Sequence, residues 1–228
     1  MKKQDFLVIF IVLLVLAPFF VFDGVYDTYL KWNASNPYLL AFVKFSVLGT
    51  FGEMLASRIR IGNYYSPEFG LFPKMIIWGL LGMWIALAMK VFASGVPVVM
   101  EKLFETNGLA DAMHGDFSLM KLAGAFWISV IMNTSFAPVF MTLHKICDMH
   151  ITQYQGGMKC LTKPIRVVEL LNKTNWDTQW NFVFKKTIPL FWIPAHTITF
   201  ILPTAFQVLF AAFLGVVLGL ILAIAAKK

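Results

Sequence analysis

The stretch VLFAAFLGVVLGLILAIAAKK, from Val208 to Lys228, indicates the class of fold. Nineteen uncharged residues precede its two lysines, and a helix of that length crosses the ~30 Å hydrocarbon core of a bilayer. The rest of the chain agrees, because 59% of its 228 residues are hydrophobic and 14% are charged, against about 45–50% and about 25% in soluble domains. We therefore expect an integral membrane protein built as a single domain over residues 1–228.

The predicted fold class is an all-α polytopic membrane helical bundle. Helices satisfy their backbone polar groups internally, as a bilayer requires, and the apolar runs are long enough for helices. We find no internal repeat that would divide the chain. The six apolar segments are 6–22, 38–57, 74–94, 118–142, 187–202 and 205–226.

Charges between these segments predict the topology. Lysine and arginine near the ends of spans stay on the cytoplasmic side. Connections one and three are acidic, whereas connections two and four and both termini are basic. We therefore expect an even number of spans with both termini cytoplasmic and the turn at Pro203 outside. The positive-inside rule then accounts for the net charge of +7. We therefore expect no nucleic-acid partner. The basic residues assigned to the cytoplasm are Lys2, Lys3, Arg58, Arg60, Lys74, Lys145, Lys159, Lys163, Arg166, Lys173, Lys185, Lys186, Lys227 and Lys228.

Segment 6–22 resembles a signal peptide, since MKKQD precedes an apolar run. The bulky, acidic sequence VFDGVYD stands where a small-residue cleavage site would be, so we favour an uncleaved first span. Nothing Arg-rich and amphipathic suggests a mitochondrial presequence. The inner membrane of a bacterial cell is the simplest location.

The fourth connection, 145–186, is predicted to carry a helix on the membrane surface. Pro164 suits a first helical turn, and apolar residues recur after it at helical spacing. Cys147 and Cys160 lie on this cytoplasmic side, which argues against a disulfide.

The second segment carries ionisable and polar groups in an apolar helix. Ser46, Thr50, Glu53 and Ser57 recur at helical spacing and share one face, the polar stripe. A lipid-facing carboxylate is costly, so we expect Glu53 to face the interior, a watery cavity or a basic partner such as Arg58. The polar stripe serves either as a pore lining or as helix packing.

The second segment also carries a row of small residues and a lysine. Gly49, Gly52 and Ala56 run beside the polar stripe, where small residues let a second helix approach closely. Lys44 projects away from Glu53, and we expect its long side chain to extend to the outer interface.

Polar residues also occur at membrane depth in the fourth and fifth segments. Asn133 lies one turn from Ser129, and the fifth segment holds His196, Thr199 and Pro194. Proline removes a helical donor, so we expect a broken helix that lines a cavity or packs centrally. With the polar stripe, this predicts pore-lining candidates and kinks: Ser46, Thr50, Glu53, Asn133, His196 and Thr199, with kinks at Pro138 and Pro194.

A metal site is a weak alternative. His144, Cys147 and His150 lie at i, i+3 and i+6, and sulfur with imidazole suits zinc or copper. On a continuous helix, however, His150 turns away from His144, and the paired cysteines of a zinc module are missing. We expect no cofactor and no enzymatic activity.

Three blocks resemble the family of 22-kilodalton peroxisomal membrane proteins and Mpv-type mitochondrial inner-membrane proteins. SNPYLLAFVKFSVLGTFGEMLASR (35–58) is similar to that family's Pro…Leu-Gly-x-x-Gly-Asp motif, FAPVF (136–140) to its Phe-Ala-Pro-x-Phe, and WIPAHTITFILPTAFQVLF (192–210) to its carboxy-terminal signature. The likeness extends over 29–215, with segment 6–22 as an addition.

Departures from the family pattern are specific. Glu53 stands for the family aspartate, Met132-Asn133 for Asp-Gln, Thr199 for asparagine and Gln207 for arginine. The spacing from Trp192 to the later proline is one residue short. These changes identify a divergent, bacterial-type member.

The resemblance implies a weakly selective channel for small solutes, with membrane lipids and small solutes as partners. It adds the mitochondrial inner and peroxisomal membranes as alternative locations. A non-catalytic structural or lipid-organising membrane protein is the alternative, and a membrane metalloenzyme built around His144 and Cys147 is a distant one. Aromatic and small-residue faces would also support a homo-oligomer.

Overall fold

The structure is a computed structural model that describes residues 2–225. Every regular element in that range is helical, which confirms the predicted all-α class. Lys227 and Lys228, which contributed to the prediction for the carboxy terminus, lie outside the described residues.

The helices follow one another with short connections. A π-helical segment, in which the backbone winds more loosely than an α-helix, precedes α11 without a break. Single turns of 3₁₀ helix occur at Pro67–Phe69 and Met158–Thr162. The elements are α1 Lys3–Leu16, α2 Pro18–Val21, α3 Val25–Ser35, α4 Pro37–Ile61, α5 Leu71–Phe104, α6 Leu109–Ala112, α7 Leu119–Ser135, α8 Ala137–Gln153, α9 Val167–Lys173, α10 Trp176–Thr178, the π segment Gln179–Trp192, α11 Ile193–Ile201 and α12 Thr204–Ala225.

Several helices are long and apolar enough to cross a membrane. Four qualify, and α7 with α8 makes a fifth if this pair, bent by 47°, counts as one span. The predicted segment 187–202 is not among these helices. Its first six residues end the π segment, which begins in the polar sequence QWNFVFKKT, and the rest forms the short helix α11. The four are Lys3–Val21, Pro37–Ile61, Pro67–Phe104 and Thr204–Ile221.

Two predicted helix ends were wrong. Segment 74–94 is part of α5, which continues through the apolar GVPVVM (95–100) to Phe104. It stops where Glu105 takes a left-handed backbone conformation with φ of 51°. Helix α8 continues to Gln153, so the fourth connection begins as helix rather than loop. Charge marks the edge of a span, but it does not end a helix.

The surface helix predicted in the fourth connection is broken in two. Helix α9 ends at Lys173, and the Asn175 side chain accepts a hydrogen bond from the Thr178 backbone at 3.0 Å to begin α10. Asparagine is a preferred residue at a helix start because its side chain satisfies a free backbone donor. Leu170 is fully buried where α9 packs near α8.

The core lies between α4, α5, α7, α11 and α12. Helix α4 is central, since it packs against both α5 and α12, while α11 packs against α7. Phe45, Met89, Ile128 and Phe200 are buried at these contacts.

Helix α1 is peripheral. Among the described residues, α1 buries none of its side chains. It is held at its first turn, where Asp5 accepts hydrogen bonds of 2.8 and 2.7 Å from the Arg58 guanidinium. The Lys2 ammonium also donates to the Gly62 carbonyl at 2.9 Å. This paired fork of hydrogen bonds fixes the end of α1 against the end of α4.

Glycines bring the helices close to α4. A Cβ atom added at Gly49 would lie 2.5 Å from the Trp78 ring, and one at Gly52 would lie 3.0 Å from the Val216 backbone. Helix α5 contributes Gly79 and Gly82 to the same contact, although its small residues were not singled out from the sequence. Small residues on both helices permit this approach.

Enlarging Gly82 should destabilise the protein. An added Cβ would lie 2.4 Å from the Phe45 Cβ, so Gly82→Ala should lower the free energy of unfolding by about 1–3 kcal/mol through overpacking. Reversible unfolding in mixed detergent micelles measures this change. Gly95→Ala on the same helix is the control, because an added Cβ there has no described atom within 4 Å. Equal stability of the two variants would contradict the close packing.

Candidate functional site

A cavity of about 320 Å³ lies inside the bundle. Helices α4, α5, α7, α8, α11 and α12 and the π segment all contribute to its wall. Most of the wall is apolar, and polar groups reach it at few points. The aromatic residues of the wall are Phe45, Trp78, Phe136, Phe140 and Trp192.

The cavity brings together some of the predicted pore residues. Glu53, Asn133 and His196 line it. Of the residues that the structure describes, the cavity wall does not include Ser46, Thr50 or Thr199. The polar stripe therefore divides between the cavity and helix contacts.

Each of the other three residues has a local environment. The Ser46 hydroxyl donates to the Met75 carbonyl at 2.7 Å, which joins α4 to α5. The Thr199 hydroxyl donates to the Ala195 carbonyl within α11 at 2.9 Å. Thr50 is 2% exposed, and its hydroxyl oxygen has no partner among the described residues.

The face of α4 that lines the cavity is the small-residue face. Gly49, Gly52 and Ala56, predicted as packing positions, lie in the cavity wall together with Glu53. Glu53 is at the border between this face and the polar stripe. Helical spacing alone could place these residues side by side, but it could not show which face α5 covers.

Glu53 belongs to a group of four ionisable side chains, here called the Glu53 cluster: Glu53, Lys74, His144 and Asp148. The Lys74 ammonium donates to Glu53 and also to Asp148, the latter at 2.5 Å. His144 Nε2 lies 3.3 Å from a Glu53 carboxylate oxygen. The Trp78 indole donates to the same oxygen at 2.7 Å. The prediction of Arg58 as the partner of Glu53 was wrong, since Arg58 pairs with Asp5.

The Glu53 cluster is nearly balanced in charge. With His144 neutral, two carboxylates face one ammonium, and a proton on His144 would complete the balance. The side chains of the cluster are between 12% and 30% exposed. In such partly buried surroundings each charge depends on its partners for stabilisation.

The predicted metal ligands do not come together. In the described part of the chain, the histidine, cysteine and acidic groups placed for a metal are Glu53, His144 and Asp148, whose ligand atoms lie within 4.8 Å of one another. Lys74 already binds both carboxylates with its ammonium. His150 instead lies 2.9 Å from the Cys160 carbonyl. Burial raises the pKa of the Cys160 thiol, which disfavours the metal-binding thiolate.

The Lys44 side chain reaches the first connection and is buried there. It is 8% exposed, and its ammonium donates to the Asn33 side-chain oxygen at 2.5 Å. It also lies 5.0 Å from the centre of the Tyr29 ring, within the range of a cation–π contact. Helix α3, which supplies both partners, folds over this lysine.

Asn133 and His196 form a second polar group at the cavity. The Asn133 amide donates to the Ser129 carbonyl at 2.8 Å, and its oxygen lies 3.0 Å from His196 Nδ1. The Ser129 hydroxyl donates to the Ile193 carbonyl at 2.7 Å. These bonds join α7 to α11, next to the change from π to α winding before Pro194. On the other helix pair, α7 and α8 bend at Phe136, two residues before Pro138.

Sequence reasoning missed four residues of this site: Lys74, Trp78, Asp148 and Gln179. Lys74 was read as a flanking charge because it begins an apolar run. The spacing of His144 and Asp148, one helical turn apart, was an available signal. Gln179 is distant in sequence from the cavity residues of α4, α5 and α7, so no local pattern places it beside them. Only the fold brings it to the cavity.

Comparisons with protein families, with curated proteins and with solved structures find no match for this chain. The family resemblance stays a prediction from the quoted motifs. The function must be argued from the cavity and its side chains.

Proposed function

We propose that this protein is a non-enzymatic, multi-span membrane protein that provides a weakly selective passive path for small solutes. The observation that carries the proposal is the cavity of about 320 Å³ inside a bundle of membrane-type helices, with Glu53, Asn133 and His196 on its wall. A solute path through a membrane needs such interior space with polar groups at intervals. Polar side chains at membrane depth commonly mark such pathways.

The quoted family motifs support the same reading. Gly49, Gly52 and Glu53 from the first block, Phe136 and Phe140 from the second, and Trp192 from the third all line the cavity. Residues that carry the family resemblance thus converge on one place in the fold. We include family membership in the proposal on this ground.

The proposed topology has six spans, with both termini on the cytoplasmic side of a bacterial inner membrane. Contacts between helix ends support it. The start of α1 contacts the end of α4 through Asp5 and Arg58, both assigned to the inside. The first connection contacts the start of α12, where the Asn33 amide donates to the Ala205 carbonyl at 3.3 Å; both are assigned to the outside.

Solute flux through purified protein in liposomes tests the proposal. Vesicles with and without protein are mixed with an excess of neutral solutes of graded size, and reswelling is followed by light scattering. We expect protein-dependent permeation that declines with solute size. Vesicles that contain folded protein and stay as tight as empty vesicles to every solute would overturn the proposal.

Removing the Glu53 charge should shift ion preference. Glu53→Gln takes one negative charge from the cavity wall and should shift the cation-to-anion permeability ratio toward anions by about fivefold, as expected for ~1 kcal/mol between unit charges 4 Å apart in water. Reversal potentials in a potassium chloride gradient measure the ratio. Glu68→Gln is the matched control, because Glu68 is exposed outside the cavity. An unchanged ratio in folded Glu53→Gln would exclude Glu53 from the solute path.

A structural or lipid-organising role is the second candidate. It is favoured by the Glu53 cluster, in which each charge is already bonded to another side chain. Polar groups of this kind can serve as links between helices. This role predicts tight vesicles together with strong destabilisation when the cluster is broken.

A further inference from the structure

The Lys44 ammonium is a buried charge whose partners are neutral. Lys44 is 8% exposed and lies about 10 Å along α4 from its first residue, Pro37, at 1.5 Å per residue. Of the residues that the structure describes, the one that accepts a hydrogen bond from the ammonium is Asn33. An ammonium has three donors, so two remain for another partner. Ionisable groups inside membrane spans normally pair with opposite charge, and Lys44 therefore points to an anion.

The Tyr29 hydroxyl is a second polar group without a partner at the same place. Its oxygen is buried and makes no hydrogen bond within the described part of the chain, although buried polar atoms are normally paired. The centre of the Tyr29 ring lies 5.0 Å from the Lys44 ammonium. The hydroxyl oxygen stands about 3 Å from that centre, so at most about 8 Å separates it from the ammonium, a gap that one phosphate group about 2.5 Å wide closes with two hydrogen bonds of about 2.8 Å.

Asn33 holds the ammonium in place without neutralising it. The Asn33 amide nitrogen donates to the Ala205 carbonyl at 3.3 Å, which leaves its side-chain oxygen for Lys44. The asparagine thus joins α3 to α4 and to the start of α12. A ligand would meet an oriented cation rather than a mobile lysine.

Helix α3 covers this site without being packed into the core. None of its side chains, all of which the structure describes, is buried. Besides the bonds of Asn33, aromatic contacts hold it: Tyr26 stacks on Phe206 with ring centres 6.3 Å apart, and Tyr29 meets Phe19 edge-on at 6.0 Å. An element with few buried apolar contacts opens at low cost in free energy. Displacement of α3 would admit a ligand to Lys44.

The surface around the site favours a lipid as the source of the anion. Phe20, Phe22, Tyr26 and Trp32 belong to the connection that covers Lys44 and are between 45% and 86% exposed. Exposed aromatic side chains of this kind gather at the level of the lipid headgroups. The acyl chains of a phospholipid can lie on these rings while its phosphate reaches the ammonium. An ion from water gains nothing from such a surface.

We propose that Lys44 and Tyr29 bind the phosphate group of a membrane phospholipid beneath α3, in the outer leaflet of the proposed topology. Lys44 supplies the positive charge, Tyr29 donates a second hydrogen bond and Asn33 orients the ammonium. A phosphodiester carries one negative charge, which matches the single ammonium. The inference rests on the proposed function only for the leaflet that it names.

Three probes test the ligand class on the unaltered protein. Dioctanoylphosphatidylglycerol carries the phosphodiester and two acyl chains, dioctanoylglycerol lacks the phosphate, and inorganic phosphate lacks the chains. Binding to delipidated protein in detergent is measured by titration calorimetry and native mass spectrometry. We expect the phospholipid to bind at least about tenfold more tightly than either other probe, because it alone satisfies the ammonium and covers the aromatic surface. Equal binding of dioctanoylglycerol would overturn the proposal, and equal binding of inorganic phosphate would overturn the lipid as its source.

Variants locate the site. Lys44→Met and Tyr29→Phe should each weaken binding of the phospholipid by about tenfold, as expected for a hydrogen bond to a charged group. Lys90→Met, at an exposed lysine of α5, and Tyr26→Phe, at an exposed tyrosine of α3, are the matched controls and should bind like the parent. Tyr29→Phe removes a hydroxyl that has no partner within residues 2–225, so it should fold even if Lys44→Met does not. Folded Tyr29→Phe that binds like Tyr26→Phe would overturn the assignment.

The two proposals fail separately. Protein that binds the phospholipid selectively in detergent but passes no solute in liposomes contradicts the proposed path alone. Protein that passes neutral solutes but binds the phospholipid and dioctanoylglycerol equally contradicts the phosphate site alone.

Discussion

Gly215→Leu should close the solute path and leave the fold intact. Gly215 lies on α12 in the cavity wall, and an added Cβ there has no described atom within 4 Å. A leucine side chain can therefore enter open space without the overpacking that a dense contact imposes. We expect solute flux to fall by at least about tenfold, because the side chain occupies the volume that the solute needs. Liposome reswelling measures the effect.

Gly95→Leu is the matched control for this blockade. Gly95 lies on α5 outside the cavity wall, and an added Cβ there likewise has no described atom within 4 Å. Both variants replace a helical glycine, so both gain the same helix propensity of about 1 kcal/mol. If Gly215→Leu folds like the control and keeps the parent's flux, the cavity is not the path.

Lys74→Met should give the largest loss of stability. It removes the ammonium that binds Glu53 and Asp148, so two partly buried carboxylates would face each other without a cation. Breaking one partner of a buried ion pair costs about 3–5 kcal/mol. The side chains here retain 12% to 30% exposure, so we expect a loss of about 3 kcal/mol, at the lower end of that range. Reversible unfolding in mixed micelles measures it.

Two further variants separate charge from packing. Lys102→Met changes an exposed lysine of the same helix and should keep parental stability. Lys74→Met combined with Glu53→Gln and Asp148→Asn removes the unbalanced charges and should recover most of the loss, since neutral groups cost less to bury. A single Lys74→Met variant as stable as Lys102→Met would show that the cluster does not stabilise the fold.

Much of the architecture follows from local patterns in the sequence. The apolar run of α12 and the long run of α4 each specify a helix by their own length and composition. Helix ends were harder to predict: α5 continues to Phe104 and α8 to Gln153. Flanking charges indicate where a span leaves the membrane, whereas a helix ends where its backbone conformation changes.

The site was only partly predictable. Glu53, Asn133 and His196 were found because polar groups are unusual in apolar helices. Ser46 and Thr50 were grouped with Glu53 by spacing, but their faces meet other helices rather than the cavity. Spacing gives the angle between side chains on one helix and says nothing about what lies opposite them.

Hydropathy and helical period are local properties of the chain. The amino-acid order alone therefore predicts the helices, their membrane-spanning length and the unusual polar residues within them. Helix packing brings Lys74 and Asp148 to Glu53, and it places Gln179 in the wall of the cavity that His196 also lines. These partners come from separate helices. Their meeting depends on how each helix is rotated and where it packs, which is set by contacts between residues distant in the chain.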